Sequence, residues 1–191
     1  MNTLELNKER EKKDKAFKTM VLLGMGSIVM VFAALTSAYV VSKSRPDWLK
    51  DFVLPSAFLY STIVMLLSSV TFHLAKTAIK KNNRKATTIN LAITLLLGIV
   101  FVILQFEGFA QVIENGYYFT GSESTITTSF LYTVVLVHLV HLFGGIISML
   151  VIIYNHYKQR YSATQSLGIE LGAMFWHFLD FLWLYLFLFF T

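Results

Sequence analysis

The chain has 191 residues, of which 55% are hydrophobic and only 14% charged, and it contains no cysteine. Together with a mean hydropathy of +0.61, this excludes a soluble globular domain and a disulfide scaffold, and leaves any metal or haem dependent on His, Met or carboxylate ligands. The formal net charge of +5 does not read as a nucleic-acid surface, because the basic residues fall in short runs between apolar stretches.

Residues 1–16 are densely charged and too polar to enter lipid, so they read as a cytoplasmic tail or an interfacial helix. An apolar run of about 25 residues follows, from Phe17 to Val41. It is too long for the apolar core of a signal peptide and is expected to be a membrane anchor. The second apolar stretch runs from about Phe52 to Ile79. Pro46 lies in the connector before it, and Pro55 stands near its start, where a missing backbone donor costs little. The third runs from about Ala86 to Ile113, and the connector from Glu114 to Thr125 contains Gly, Ser and Tyr with two acids and no base. The fourth and fifth run from about Ile126 to Tyr157 and from Leu167 to Phe190. Each is long enough to cross a hydrocarbon core of about 30 Å. The expected fold is an all-α integral membrane bundle of five transmembrane helices.

Thirteen of the sixteen Lys and Arg fall on one side of that layout: Lys8, Arg10, Lys12, Lys13, Lys15 and Lys18, then Lys76, Lys80, Lys81, Arg84 and Lys85, then Lys158 and Arg160. Lys43, Arg45 and Lys50 fall on the other. Positive charge is retained in the cytoplasm, so the N-terminus is expected there and Thr191 outside. Close helix approach is marked by Ala33 with Ser37, Ala34 with Ala38, Gly144 with Ser148, and Gly168 with Gly172. Internal repeats and broken helices, the marks of a transporter, are absent from the sequence.

Ionisable groups at membrane depth are costly and must face the bundle interior, a partner or a headgroup. They are His73, Glu107, His138, His141, Glu170, His177 and Asp180. His73 lies near an interface, and Glu107 near the outer end of the third helix, where it can snorkel. His138 and His141 share one face of the fourth helix with Gly145 one turn on. Two readings stand: a metal or haem site, or a hydrogen-bonding pair with Gly145 admitting a neighbouring helix. The second is preferred, since a bis-His haem needs ligands on opposite sides of the ring. Glu170, His177 and Asp180, at spacings of seven and three, form an acid-base-acid ladder on one face of the last helix. Such a ladder serves either a proton relay or a structural network, and the network is preferred. A small membrane protein binding a metal or haem b through His138, His141 and His177 is the alternative to an accessory subunit without redox centres.

The last helix carries Glu170 ahead of Trp176-His177-Phe178-Leu179-Asp180 and Trp183. This resembles the final-helix signature of cytochrome c oxidase subunit III, a Glu preceding Trp-His-Phe-x-Asp-x-x-Trp. His138-x-x-His141-x-x-x-Gly145 is similar to the preceding family helix, with Leu139 in place of a family glycine. The run from Leu97-Gly98 through Phe101 to Leu104-Gln105 resembles the third. Glu107 comes two positions after Gln105 where the family has a Glu three on, and Ser27 stands where seven-helix members bury a Glu.

The resemblance implies the short five-helix form found in bacterial cell membranes. It implies a non-catalytic subunit of a proton-pumping haem-copper terminal oxidase that packs on subunit I and other oxidase subunits, stabilises the active site and supports proton uptake. Haems and copper are then held by partner subunits, and none by this chain. Seven-helix members hold phospholipid in a cleft, so bound phospholipid is a weaker implication here, as is a respiratory supercomplex.

Overall fold

A chain crossing lipid must satisfy its backbone hydrogen bonds internally, and long apolar stretches do so as helices. The structure is a computed structural model describing residues 3–45, 48–49, 54–121, 124–163 and 165–191. It contains α1 (Thr3–Ser42), α2 (Ser56–Lys80), α3 (Arg84–Glu114), α4 (Ile126–Tyr157) and α5 (Leu167–Phe190), and no strand among the described residues. All five are long and apolar enough to cross a membrane. Pro46, Lys50 and the expected start of the second helix at Phe52 lie outside the described residues.

Two helices differ most in extent from the apolar stretches, while α3 exceeds its stretch by two residues at its start and one at its end. α1 begins at Thr3, so its 40 residues include the charged segment that precedes Phe17. Glu, Lys and Arg are good helix formers, and a helix already nucleated in lipid is extended by them cheaply. At 1.5 Å per residue α1 is about 60 Å long and projects well beyond the hydrocarbon core. α2 starts at Ser56 with Pro55 as its N-cap residue, held at φ −57° and ψ 147°. A proline there surrenders only an amide that a helix start leaves unpaired.

The turns are built from side chains suited to them. Asn83 accepts from the Ala86 amide to cap α3, and Asn82 takes φ 56°, a left-handed conformation Asn tolerates. Thr125 and Thr128 form a reciprocal capping box at the start of α4. The connector before it is fastened down by Thr128 and Ser129, which donate to the Tyr118 and Phe119 carbonyls at 3.1 and 2.9 Å.

Helices α2, α3, α4 and α5 pack in a ring, each against the next, and α1 leans across α4 and α5 without touching α2 among the described residues. Two tryptophans of α5 fill the ring. The Trp176 ring presses on α3 at Gly98, where a Cβ would come within 2.9 Å of it, and on α4 at Gly145. Its indole N–H donates to Ser68 Oγ of α2 at 3.0 Å. Two turns on, Trp183 meets Phe101 of α3 and His138 of α4, each at 5.2 Å between ring centroids. Its N–H donates to Thr62 Oγ1 of α2 at 3.0 Å. Lipid tails are as apolar as these rings, so packing and the two interhelical hydrogen bonds, rather than escape from water, hold the ring together.

The small residues divide accordingly. Gly172 admits Ile152 and Phe72, and Gly168 admits the Tyr161 ring. Gly144 has nothing within 4 Å of where its Cβ would be, so it is not itself a point of close helix approach.

Candidate functional site

The polar groups at membrane depth separate into three places. At the charged end of the bundle, Glu170 in the first turn of α5 accepts from Lys80 Nζ of α2 at 3.0 Å and lies 3.6 Å from Lys18 Nζ of α1. Ser166 Oγ donates to the same carboxylate at 3.2 Å. A carboxylate at a helix N-terminus is also favoured by the helix dipole. Glu170 therefore clamps α1 and α2 to α5, although those two helices do not meet. Both lysine side chains are about half exposed, 49% and 51%, so the clamp contributes little alone. Glu170→Gln is expected to lower stability by under about 1 kcal/mol, and less at high salt. Thermal unfolding of the purified protein at two salt concentrations measures this.

Ten residues further along α5, about 15 Å by helical rise, Asp180 is buried, its side chain 3% exposed. Its Oδ2 lies 3.8 Å from His177 Nδ1, and that nitrogen is hydrogen-bonded to Ser69 Oγ of α2 at 2.6 Å. Serine, histidine and aspartate thus meet, but both partners converge on one ring nitrogen. A nucleophilic triad needs the serine and the carboxylate on opposite nitrogens, so this arrangement does not activate Ser69. Neither Asp180 oxygen has a hydrogen-bond partner within range. His73 of α2 is exposed, and its ring centroid stands 6.3 Å from that of His177.

The third place is the α4 interior. His138 is fully buried among aromatic rings, with Trp183 at 5.2 Å, Phe101 at 6.1 Å and Phe32 of α1 at 6.4 Å. Neither ring nitrogen has a hydrogen-bond partner. His141 turns its Nδ1 onto the Val137 carbonyl at 2.7 Å and packs its ring on Phe32 at 5.8 Å. The two histidines bracket Phe32, where α1 meets α4. Gly145, one turn on, admits Leu179 and Trp176 of α5.

The ladder expected on α5 is divided. His177 and Asp180 are neighbours, but Glu170 is held two turns away by two lysines. His138, His141 and His177 are not brought together: the first two face α1 and the ring interior, the third faces α2. Among the described residues no three His, Asp or Glu gather as a metal site. Glu107 lies on the exposed side of α3, away from all three places, with no hydrogen bond or ion pair among the described residues. Gln105 instead points inward, donating to Ser61 Oγ at 2.8 Å.

Residue reasoning passed over Ser61, Thr62, Ser68 and Ser69, which meet Gln105, Trp183, Trp176 and His177 in that order. Their signal is a repeat of adjacent hydroxyl pairs seven residues apart, two helical turns, on one face of α2. It also passed over a cleft of about 320 Å³ beside Glu170, bordered by Arg10, Lys18, Arg160 and Tyr161. Burial pushes the Tyr161 phenol above its ordinary value, so it stays a donor. Arg84 donates to the Tyr161 carbonyl at 2.7 Å, tying the α4–α5 connector to α3. An apolar groove of about 540 Å³, bordered by Val21, Met25, Ser148 and Phe175, opens from the same end and shares Tyr161 and Gly168 with the cleft.

The profile of the family described as cytochrome c oxidase subunit III matches residues 8–191. A cytochrome bo(3) ubiquinol oxidase subunit 3 of Buchnera aphidicola subsp. Acyrthosiphon pisum is 29% identical over 98% of this chain and 94% of its own length. A cytochrome c oxidase subunit 3 of Spodoptera frugiperda is 33% identical, over 68% of this chain and 84% of its own length. That of Drosophila melanogaster is also 33% identical, but the match spans 47% of its length.

Proposed function

This chain belongs to the cytochrome c oxidase subunit III family, and from that membership we infer that it is the non-catalytic third subunit of a proton-pumping haem-copper terminal oxidase. In this reading it sits in a bacterial cell membrane, packs on subunit I, stabilises the oxygen-reducing site held there and supports proton uptake. The observation that carries it is the family match over residues 8–191, nearly the whole chain. The interior supports it as well: the ring of α2 to α5 is filled by Trp176 and Trp183, and His177 stands apart from His138 and His141. Haems and copper belong to the partner subunits.

The excess of Lys and Arg at the Glu170 end supports a cytoplasmic placement of that end and of the N-terminus. Arg10, Lys18 and Arg160 converge at the cleft, and the adjoining groove is apolar, so the pair suits the phosphate and acyl chain of a phospholipid. His138, His141, His177 and Asp180 serve helix packing in this reading, and Glu170 serves as the clamp.

Affinity purification of the tagged chain in mild detergent, with a visible spectrum of the eluate, tests the reading. Haem-containing subunits are expected to accompany the chain, and the chain stripped from them is expected to show no Soret band. A chain that purifies alone with haem bound would reverse the assignment.

A further inference from the structure

α1 and α2 both rest on α5 but do not touch each other among the described residues. Between them α5 is the floor of an open groove. The half towards the outer end is apolar, with Val29 of α1 and Phe181 of α5 both exposed. The half towards the charged end is polar. His177 lies on the floor with its side chain 33% exposed, and His73 is exposed on the α2 wall. His177 is about 15 Å from the start of α5 by helical rise, near the middle of a hydrocarbon core about 30 Å thick.

An imidazole at that depth is poorly matched to lipid tails, and such groups normally face protein or water. The groove is also incomplete in its hydrogen bonding. His177 uses Nδ1 on Ser69, and its other nitrogen and both His73 nitrogens have no partner within the described chain. Lys76 stands one turn beyond His73 on α2. Of the acids that face this seam, Asp180 is buried behind His177 and Glu170 is taken by Lys18 and Lys80. On the α1 wall Val29, Phe32 and Ala33 border the apolar half. What the groove lacks is a polar partner for these imidazole nitrogens.

We propose that this groove is the docking site for a transmembrane helix of another oxidase subunit, which presents a hydrogen-bonding polar side chain to His73 and His177. The proposal rests on the subunit reading above and adds the face and the chemistry of contact. The apolar half takes the same helix further along its length. Glu170, Lys18 and Lys80 close the end of the groove and set how far a helix can travel along it.

The test is photocrosslinking in intact membranes. Benzoylphenylalanine is placed at Leu66, exposed and two turns from His73 on the same face of α2, or at Ile103, exposed on α3. Neither change touches a polar group. An adduct between position 66 and another oxidase subunit, absent at position 103, is the expected result. An adduct at 66 with lipid only, with a second copy of this chain, or at 103 alone overturns the docking face, while the unaltered chain still purifies with the oxidase. Failure of the unaltered chain to bring down the oxidase overturns the subunit reading, and the docking face with it.

His73→Leu and His73→Gln test the chemistry in the same membranes. Leucine is expected to reduce recovery of the oxidase several-fold, and glutamine, which keeps a hydrogen-bonding group, to restore most of it. Equal recovery with leucine and wild type overturns the polar contact.

Discussion

Replacing Trp176 by alanine is expected to destabilise the bundle by about 3 kcal/mol. The ring is 1% exposed, presses on Gly98 and Gly145, and donates to Ser68 at 3.0 Å. One truncation therefore opens a void against α2, α3 and α4 together and leaves Ser68 without its donor. The loss falls towards the low end of the range for large aromatic truncations, because the unfolded chain in lipid also keeps the ring out of water and only the packing part is forfeited. Trp176→Phe separates the two contributions. It keeps most of the volume and loses the N–H bond, for about 1 kcal/mol. Titration with a denaturing detergent, followed by helical circular dichroism, orders the three proteins as wild type, phenylalanine, alanine. Equal midpoints for alanine and wild type would mean that the ring is not filled by this side chain.

The neighbouring glycines of α4 give the second large effect and its own control. A Cβ at Gly145 would stand 2.9 Å from Leu179 Cδ1 and 3.4 Å from the Trp176 ring, whereas one at Gly144 would meet nothing within 4 Å. Gly145→Leu forces α4 off α5 or drives Leu179 and Trp176 from their rotamers, for about 1–3 kcal/mol. Gly144→Leu is expected to change stability by less than about 0.5 kcal/mol, since the side chain points away from the bundle. The two substitutions are chemically identical and adjacent in sequence. A difference in unfolding midpoint between them reports the α4–α5 contact and nothing about helix propensity.

Helix number follows from the apolar stretches because lipid penalises every other way of satisfying a backbone. α4 and α5 run over the same residues as their stretches, since Thr125 and the polar connector at 158–166 bound them sharply. The start of α1 was hidden because hydropathy measures where a helix can enter lipid, and charged residues continue a helix outside it. Gly145 was legible as a point of close approach from its place beside two histidines. What Trp176 and Trp183 bond to was not, because Ser68 and Thr62 lie 108 and 121 residues away in sequence. Spacing within a helix cannot report a partner on another helix. The same limit explains Glu170, whose place on the His177 and Asp180 face follows from periodicity while its partners Lys18 and Lys80 lie on other helices.

The separation of α1 from α2 also bears on how the chain is made. α2 and α3 are joined by a three-residue link and pack along their length, so they can pair as soon as both have left the ribosome. α1 emerges earlier, yet its contacts are with α4 and α5, whose synthesis comes last. During the interval lipid surrounds α1 on every side. A helix in that position has to be stable in the bilayer by itself, and an almost continuous run of apolar residues from Met20 to Val41, with no acid or base within it, makes it so.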